Sequence, residues 1–157
     1  MSPRYEVDPT SVTAVIAILE KGEYELSVGE PKSFEKNDTT SNPPKSNRGV
    51  RYPLTVAEGP EAGARTFYTC YTHTEGAVSF MKQFLLAVLG YQATRDDEKR
   101  FDAKYRGSDW GMDPESGGVG DVWRELNGKR VVAVVDIGFA QDGITQQQKW
   151  VKFRPVS

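Results

Sequence analysis

The chain has 157 residues, 38% of them hydrophobic and 27% charged, with a formal net charge of −2. That length supports one domain able to bury a core without disulfides or metal, and the composition is neither that of a disordered chain nor that of a strongly basic one. The lone Cys70 excludes an intrachain disulfide, one cysteine and one histidine make no zinc site, and the longest apolar run, "AVIAIL", is far too short to cross a bilayer.

The opening "MSPRYEVDPT" carries acidic residues and no apolar signal core, so an intracellular, cytoplasmic protein with no membrane attachment is expected. Asp8 or Thr10 as N-cap and Pro9 in a first turn predict a short helix ending before Gly22, although the β-branched run "VTAVIAIL" also fits a strand. From Tyr24 the alternation is clearer. Tyr24, Leu26 and Val28 share one register, and after Gly29 and Pro31 it resumes at Lys32, Phe34 and Lys36, which reads as one long strand bent or bulged at Gly29. Residues 37–48, with two prolines and the cations Lys45 and Arg48, read as a loop that stays poorly ordered until it meets a ligand. A second strand follows over Val50–Val56, with Pro53 at a bulge or an edge.

"EGPEAG" is a turn and "ARTFYTCYT" a third strand, so the two strands form a hairpin. The period then changes. Val78, Met81, Leu85 and Val88 recur at helical spacing, Phe84 and Leu89 widen the stripe, and Gly90 stops the helix. Residues 91–127 are charged and then glycine-rich, and they predict a long irregular insertion with one helical turn at Asp121–Leu126, either mobile or functional. "NGKRVVAVVDIG" is a fourth strand, apolar on both faces and therefore central, "FAQDGITQQQ" a loop, and "KWVKFRPV" a fifth strand.

Strand, strand, strand, helix, strand, strand is the order of the five-stranded, partly open OB-fold barrel. The expectation is a mostly β single domain over 1–157, with its core at about 20–90 and 126–156 and the insertion at about 91–125. In that architecture the loops after strands one and four flank a binding face on strands two and three.

Strand parity then assigns the outside of the barrel. With Tyr52, Leu54 and Val56 inward, Arg51 faces out. With Tyr68 and Cys70 inward, Arg65, Phe67, Thr69 and Tyr71 face out. Val151 and Phe153 as the core pair put Trp150, Lys152 and Arg154 outside, and Lys32, Phe34 and Lys36 share one register in strand one. Any one such pairing is most simply a ring covered by an alkyl stem. Four strands presenting aromatics among cations is what a single-stranded nucleic acid needs, because bases stacked on rings gain about 1–3 kcal/mol each and phosphates require neutralising.

The segments "KGEYELSVGEPK", "AEGPEAGARTFY", "FLLAVLGY", "LNGKRVVAVV" and "KWVKFRPV", in this order and spacing, resemble phage-encoded single-stranded DNA-binding proteins with an OB-fold, over about residues 20–90 and 126–156. The resemblance implies a protein that coats single strands during replication and recombination without sequence preference and without a cofactor. It implies a cleft on Arg51, Arg65, Phe67, Tyr71 and the flanking loops. Parity and charge extend the candidate set to Lys32, Phe34, Lys36, Lys45, Arg48, Lys149, Trp150, Lys152 and Arg154. Partners would be single-stranded DNA, or RNA, replication or recombination proteins, and a second copy of the chain. The ending "FRPVS" lacks the acidic tail with which many single-strand binders recruit partners.

An OB-like protein-interaction or assembly module is the alternative, and an enzyme is not expected. Asp96, Asp97, Glu98, Asp102, Asp109, Asp113, Glu115 and Asp121 are interspersed with Arg and Lys, as in a solvated polar stretch, and follow no calcium-loop spacing. "GGVG" lacks the Gly-Lys-Ser/Thr ending of a phosphate loop. His73, at the turn "YTHTEG", has no nucleophile motif beside it and reads as a turn residue, and Cys70 as a small core side chain.

Overall fold

Alternating side chains carry the first half of the chain into a sheet. The computed structural model describes residues 19–38, 45–72, 74–139 and 142–156, apart from the side chains of residues 37, 38 and 45–47. The segment expected as one bent strand forms β1 (Gly22–Val28) and β2 (Lys32–Asp38), interrupted at residues 29–31. Gly29 is required at the break, because a Cβ there would lie 2.7 Å from Cγ of Pro53. The chain expected as a helix or strand before Gly22, and His73, lie outside the described residues apart from Leu19, Glu20 and Lys21; Leu19 is buried.

β3 (Lys45–Val56) is the spine of the sheet. Its first half pairs with β2 (Lys32 with Arg51, Phe34 with Gly49), its last residues pair with β1 (Val28 with Leu54), and β4 (Arg65–Tyr71) runs along its other edge. Val50, Tyr52, Leu54, Val56, Thr66, Tyr68 and Cys70 are buried as parity required. Pro53 sits inside this central strand without harm. Its carbonyl accepts the Gly29 N–H at 2.8 Å, and since a residue's N and C=O point to the same side of a strand, its missing N–H faces the gap between β1 and β2.

Residues 45–48 belong to β3 and pair with residues 35–38, which corrects the expected loop at its two ends. Backbone pairing extends the ladder beyond the last apolar pair, and polar side chains give no alternation to announce it. Only residues 39–44 of that loop lie outside the described residues.

β7 (Arg130–Phe139) lies between β1 and β8 (Gln146–Arg154), central as expected, and its hairpin with β8 likewise takes up part of the expected loop. The main sheet therefore runs β2-β3-β1-β7-β8 with β4 on β3. It is an antiparallel sheet and it does not close into a barrel: among the described residues no ladder joins β4 to β8. Side chains meet there instead. Thr66 Oγ1 accepts from Gln148 Nε2 at 3.4 Å, and Tyr68 and Trp150 meet edge to face at 6.1 Å, so the two edges ascend in the same direction.

α1 (Glu75–Val88) packs Met81, Phe84, Leu85 and Val88 into the core, against a cluster formed with Tyr68 and Phe153. Thr74 caps it by accepting the Ala77 N–H, and Gly90 leaves it at φ 85°.

The insertion departs most from expectation. It contains α2 (Arg95–Lys104), a 3-10 turn over Gly107–Trp110, a small hairpin of β5 (Met112–Asp113) and β6 (Gly118–Val119), and α3 (Asp121–Arg124), the one turn that was expected. Phe101 packs on Tyr91, Tyr105 and Trp110, and Trp110 meets Trp123 edge to face at 5.5 Å, an aromatic extension of the one core that also holds the sheet and α1. These anchors are single residues spread over some thirty positions, so they make no periodic stripe. Hydrogen bonds tie the segment to the sheet: Tyr52 donates its buried hydroxyl to the Trp123 carbonyl at 2.7 Å, the Ser33 N–H donates to the Gly117 carbonyl at 3.1 Å, and the Ser33 hydroxyl reaches the carbonyls of Asp113 and Gly118, each at 2.8 Å. No helix of the described residues is long and apolar enough to cross a membrane.

Candidate nucleic-acid interface

Residues directly opposite in an antiparallel ladder share a face. The pairing therefore brings Lys32, Phe34 and Lys36 of β2, Gly49 and Arg51 of β3, and Phe67, Thr69 and Tyr71 of β4 onto one outward surface. At its centre the exposed Arg51 guanidinium lies over two rings, 5.3 Å from the Phe34 centroid and 4.7 Å from that of Phe67. Phe34 also meets Tyr71 edge to face at 5.8 Å. Gly49 makes this possible, since a Cβ there would come within 2.9 Å of Phe34 Cζ and 2.5 Å of the Cys70 carbonyl oxygen. A glycine inside a strand pattern is the sequence sign of such a close approach.

Phe67 is 38% exposed, and Lys32 and Lys36 are exposed beside the rings. The surface offers π-faces next to exposed cations. A guanidinium suits it doubly, because it stacks on aromatic faces and also presents a planar fork of donors to a phosphate.

Trp150 does not join this surface. Between Val134 and Val135 the β7–β8 register shifts, Val134 opposing Lys152 and Val135 opposing Trp150, so Val151 is an extra, bulged residue. The bulge reverses the expected parity: Val151 is 48% exposed, while Trp150 turns toward the core and packs on Tyr68 and Phe153. Lys152 and Phe153, beyond the bulge, keep their expected sides.

The other candidates divide. Arg48 lies on the face opposite Arg51 and pairs with Glu35 at 3.7 Å. Lys45 opposes residue 38 in the ladder, and its side chain lies outside the described ones. Arg65 is half-buried on the outward side of β4, one strand step beyond Phe67. Arg154 is ion-paired with Glu23, and Arg130 reaches Glu25 at 3.3 Å and Glu58 at 3.7 Å. The outward strip over β1 and β7 is thus occupied by cation–carboxylate pairs, unlike the aromatic surface on β2, β3 and β4. Lys149 and Lys152 are exposed on β8, and the Thr66–Gln148 contact sets position 149 level with Phe67 across the open seam.

The β7–β8 hairpin carries apolar side chains that parity did not single out, Phe139 at 62% and Ile144 at 82% exposed. Asp142 shapes the turn below them. Its carboxylate accepts the backbone N–H groups of Ile144 and Thr145 and the Thr145 hydroxyl, which lowers its pKa to about 2. Burial pushes the Cys70 thiol and the Tyr52 and Tyr68 hydroxyls up, so none of them ionises at neutral pH. Among the described residues no three His, Cys, Asp or Glu side chains group so as to hold a metal ion.

The chain matches no protein-family model and no curated protein.

Proposed function

We propose that the protein binds single-stranded DNA without sequence preference on the outward surface of β2, β3 and β4. It would coat strands exposed in replication and recombination, as the phage-encoded family it resembles does. The observation that carries this reading is Arg51 stacked between Phe34 and Phe67, with Lys32 and Lys36 alongside. A strand crossing the surface stacks bases on Phe67, Phe34 and Tyr71, and Arg51 leaves the rings for a phosphate as the bases arrive. Lys149 and Lys152 take phosphates beyond the seam. Rings accept any base and cations accept any phosphate, so binding needs neither a cofactor nor a base-edge code.

The scaffold is read as an OB-fold opened at one seam. β1 and β2 act as its single bent first strand, α1 lies between its third and fourth strands, and β4 and β8 run side by side where the barrel would close.

The test is fluorescence anisotropy of labelled oligo-dT against a duplex of equal length over a salt series; intrinsic tryptophan is a poor probe because Trp110, Trp123 and Trp150 all pack away from the surface. With about four phosphates neutralised, the log–log salt slope is about −3. Equal affinity for duplex, or no binding, refutes the proposal.

A further inference from the structure

A second recessed surface lies apart from the aromatic one. Two depressions of about 330 and about 320 Å³ meet at Gln83, Leu86 and Ala93, forming a groove that runs from the α1–α2 junction to the end of β8. Its floor is apolar, with Leu86, Ala87 and Phe153 each almost fully buried beneath it. Its walls carry four cations, Lys82, Arg95, Lys152 and Arg154, against one carboxylate, Glu98.

Three of these cations already hold carboxylates: Lys82 bonds Asp102 at 2.9 Å and also approaches Glu98, Arg95 bonds Glu98, and Arg154 bonds Glu23. The Arg95 and Arg154 guanidinium groups are exposed and pairs of that kind contribute little, so a ligand carboxylate exchanges for their partners readily, whereas Lys82 is half-buried between its two carboxylates. Lys152 has no ion-pair partner among the described residues. At this end the groove is bounded by Lys152, Phe153 and Arg154 of β8 and by Pro155.

We infer that this groove binds an extended acidic peptide of a partner protein, with an apolar side chain set over Leu86 and Phe153 and carboxylates on the flanking cations. The charge of the walls selects against basic segments, and the apolar floor selects against purely acidic ones. The site is separate from the proposed DNA surface, and only Lys152 borders both.

The test uses fluorescein-labelled peptide EDLEFDE, with EDSESDE and KKLKFKK as controls, in anisotropy titrations against the full chain. Ala93→Glu and Gln83→Glu place new carboxylates on exposed positions of the groove and leave the core intact. EDLEFDE is expected to bind at least about tenfold more tightly than either control, and each substitution to weaken it about tenfold with oligo-dT binding unchanged. Equal binding of EDSESDE, or EDLEFDE binding that Ala93→Glu leaves untouched, overturns the inference. So does concentration-dependent self-association in sedimentation that Ala93→Glu abolishes, which would assign the groove to a second copy.

Discussion

Replacing Phe67 by Ala isolates the stacking part of the proposed interaction. The ring is 38% exposed on the outward face, lies opposite Pro53 in the ladder and carries the Arg51 guanidinium at 4.7 Å, so the fold loses a surface cation–π contact of about 0.5–1 kcal/mol together with the packing of the covered part of the ring. A strand loses a stacked base, about 1–3 kcal/mol. At 1.4 kcal/mol per tenfold, Kd for oligo-dT rises by about 5- to 150-fold. No charge is removed, so the salt slope stays where it was. Arg51→Ala is the complement: it shallows the slope by about 0.7 for the one phosphate lost. The assay is oligo-dT anisotropy at four or more salt concentrations, with urea unfolding as a check on the fold. Unchanged affinity in Phe67→Ala, or a loss that disappears at high salt, would refute a stacking role for this surface.

Three further outcomes follow from the geometry. Gly49→Ala brings a methyl to 2.5 Å from the Cys70 carbonyl oxygen and 2.9 Å from Phe34, so urea unfolding should show a loss on the order of 1–3 kcal/mol, and oligo-dT binding should weaken because Phe34 is displaced. Tyr52→Phe leaves the Trp123 carbonyl without its buried donor and should cost about 1–3 kcal/mol in the same assay; a neutral result would mean that the insertion does not depend on this anchor. Asp142 has a folded pKa near 2, below the ordinary carboxylate value, so its support of the β7–β8 turn is complete above that ordinary value and disappears as pH falls through about 2. The protection factors of the Ile144 and Thr145 amides, relative to intrinsic exchange at each pH, should fall over that interval, while Asp142→Asn should loosen the turn at neutral pH.

The outward surface was largely legible before folding, because in β3 and β4 the alternation is unbroken. Once Tyr52, Leu54, Tyr68 and Cys70 are assigned inward, Arg51, Phe67 and Tyr71 have nowhere else to go. β8 fails the same reasoning for a specific cause. A bulge adds one residue without marking the hydropathy pattern, since Val151 fits either face, and every position on its Trp150 side changes sides. Arg48 misled differently. Its charge placed it with the loop cations, but the ladder runs on through residues 45–48 and turns it toward Glu35 on the other face.

The chain's own order of residues decides what neighbours along a strand must do, so the two long antiparallel hairpins, the helix from Glu75 and the inward residues of β3 and β4 follow from local periodicity alone. What β2, β3 and β4 do together does not. Phe34 and Phe67 lie thirty-three positions apart, and only the registers of Phe34 with Gly49 and of Pro53 with Phe67 bring both rings to one guanidinium. The insertion is likewise a tertiary matter: Phe101, Trp110 and Trp123 acquire an apolar environment from one another, from Tyr91 and Tyr105 and from the core they join, a cooperative burial with no periodic trace. Local alternation sets which side a residue faces, and long-range register sets what it meets there.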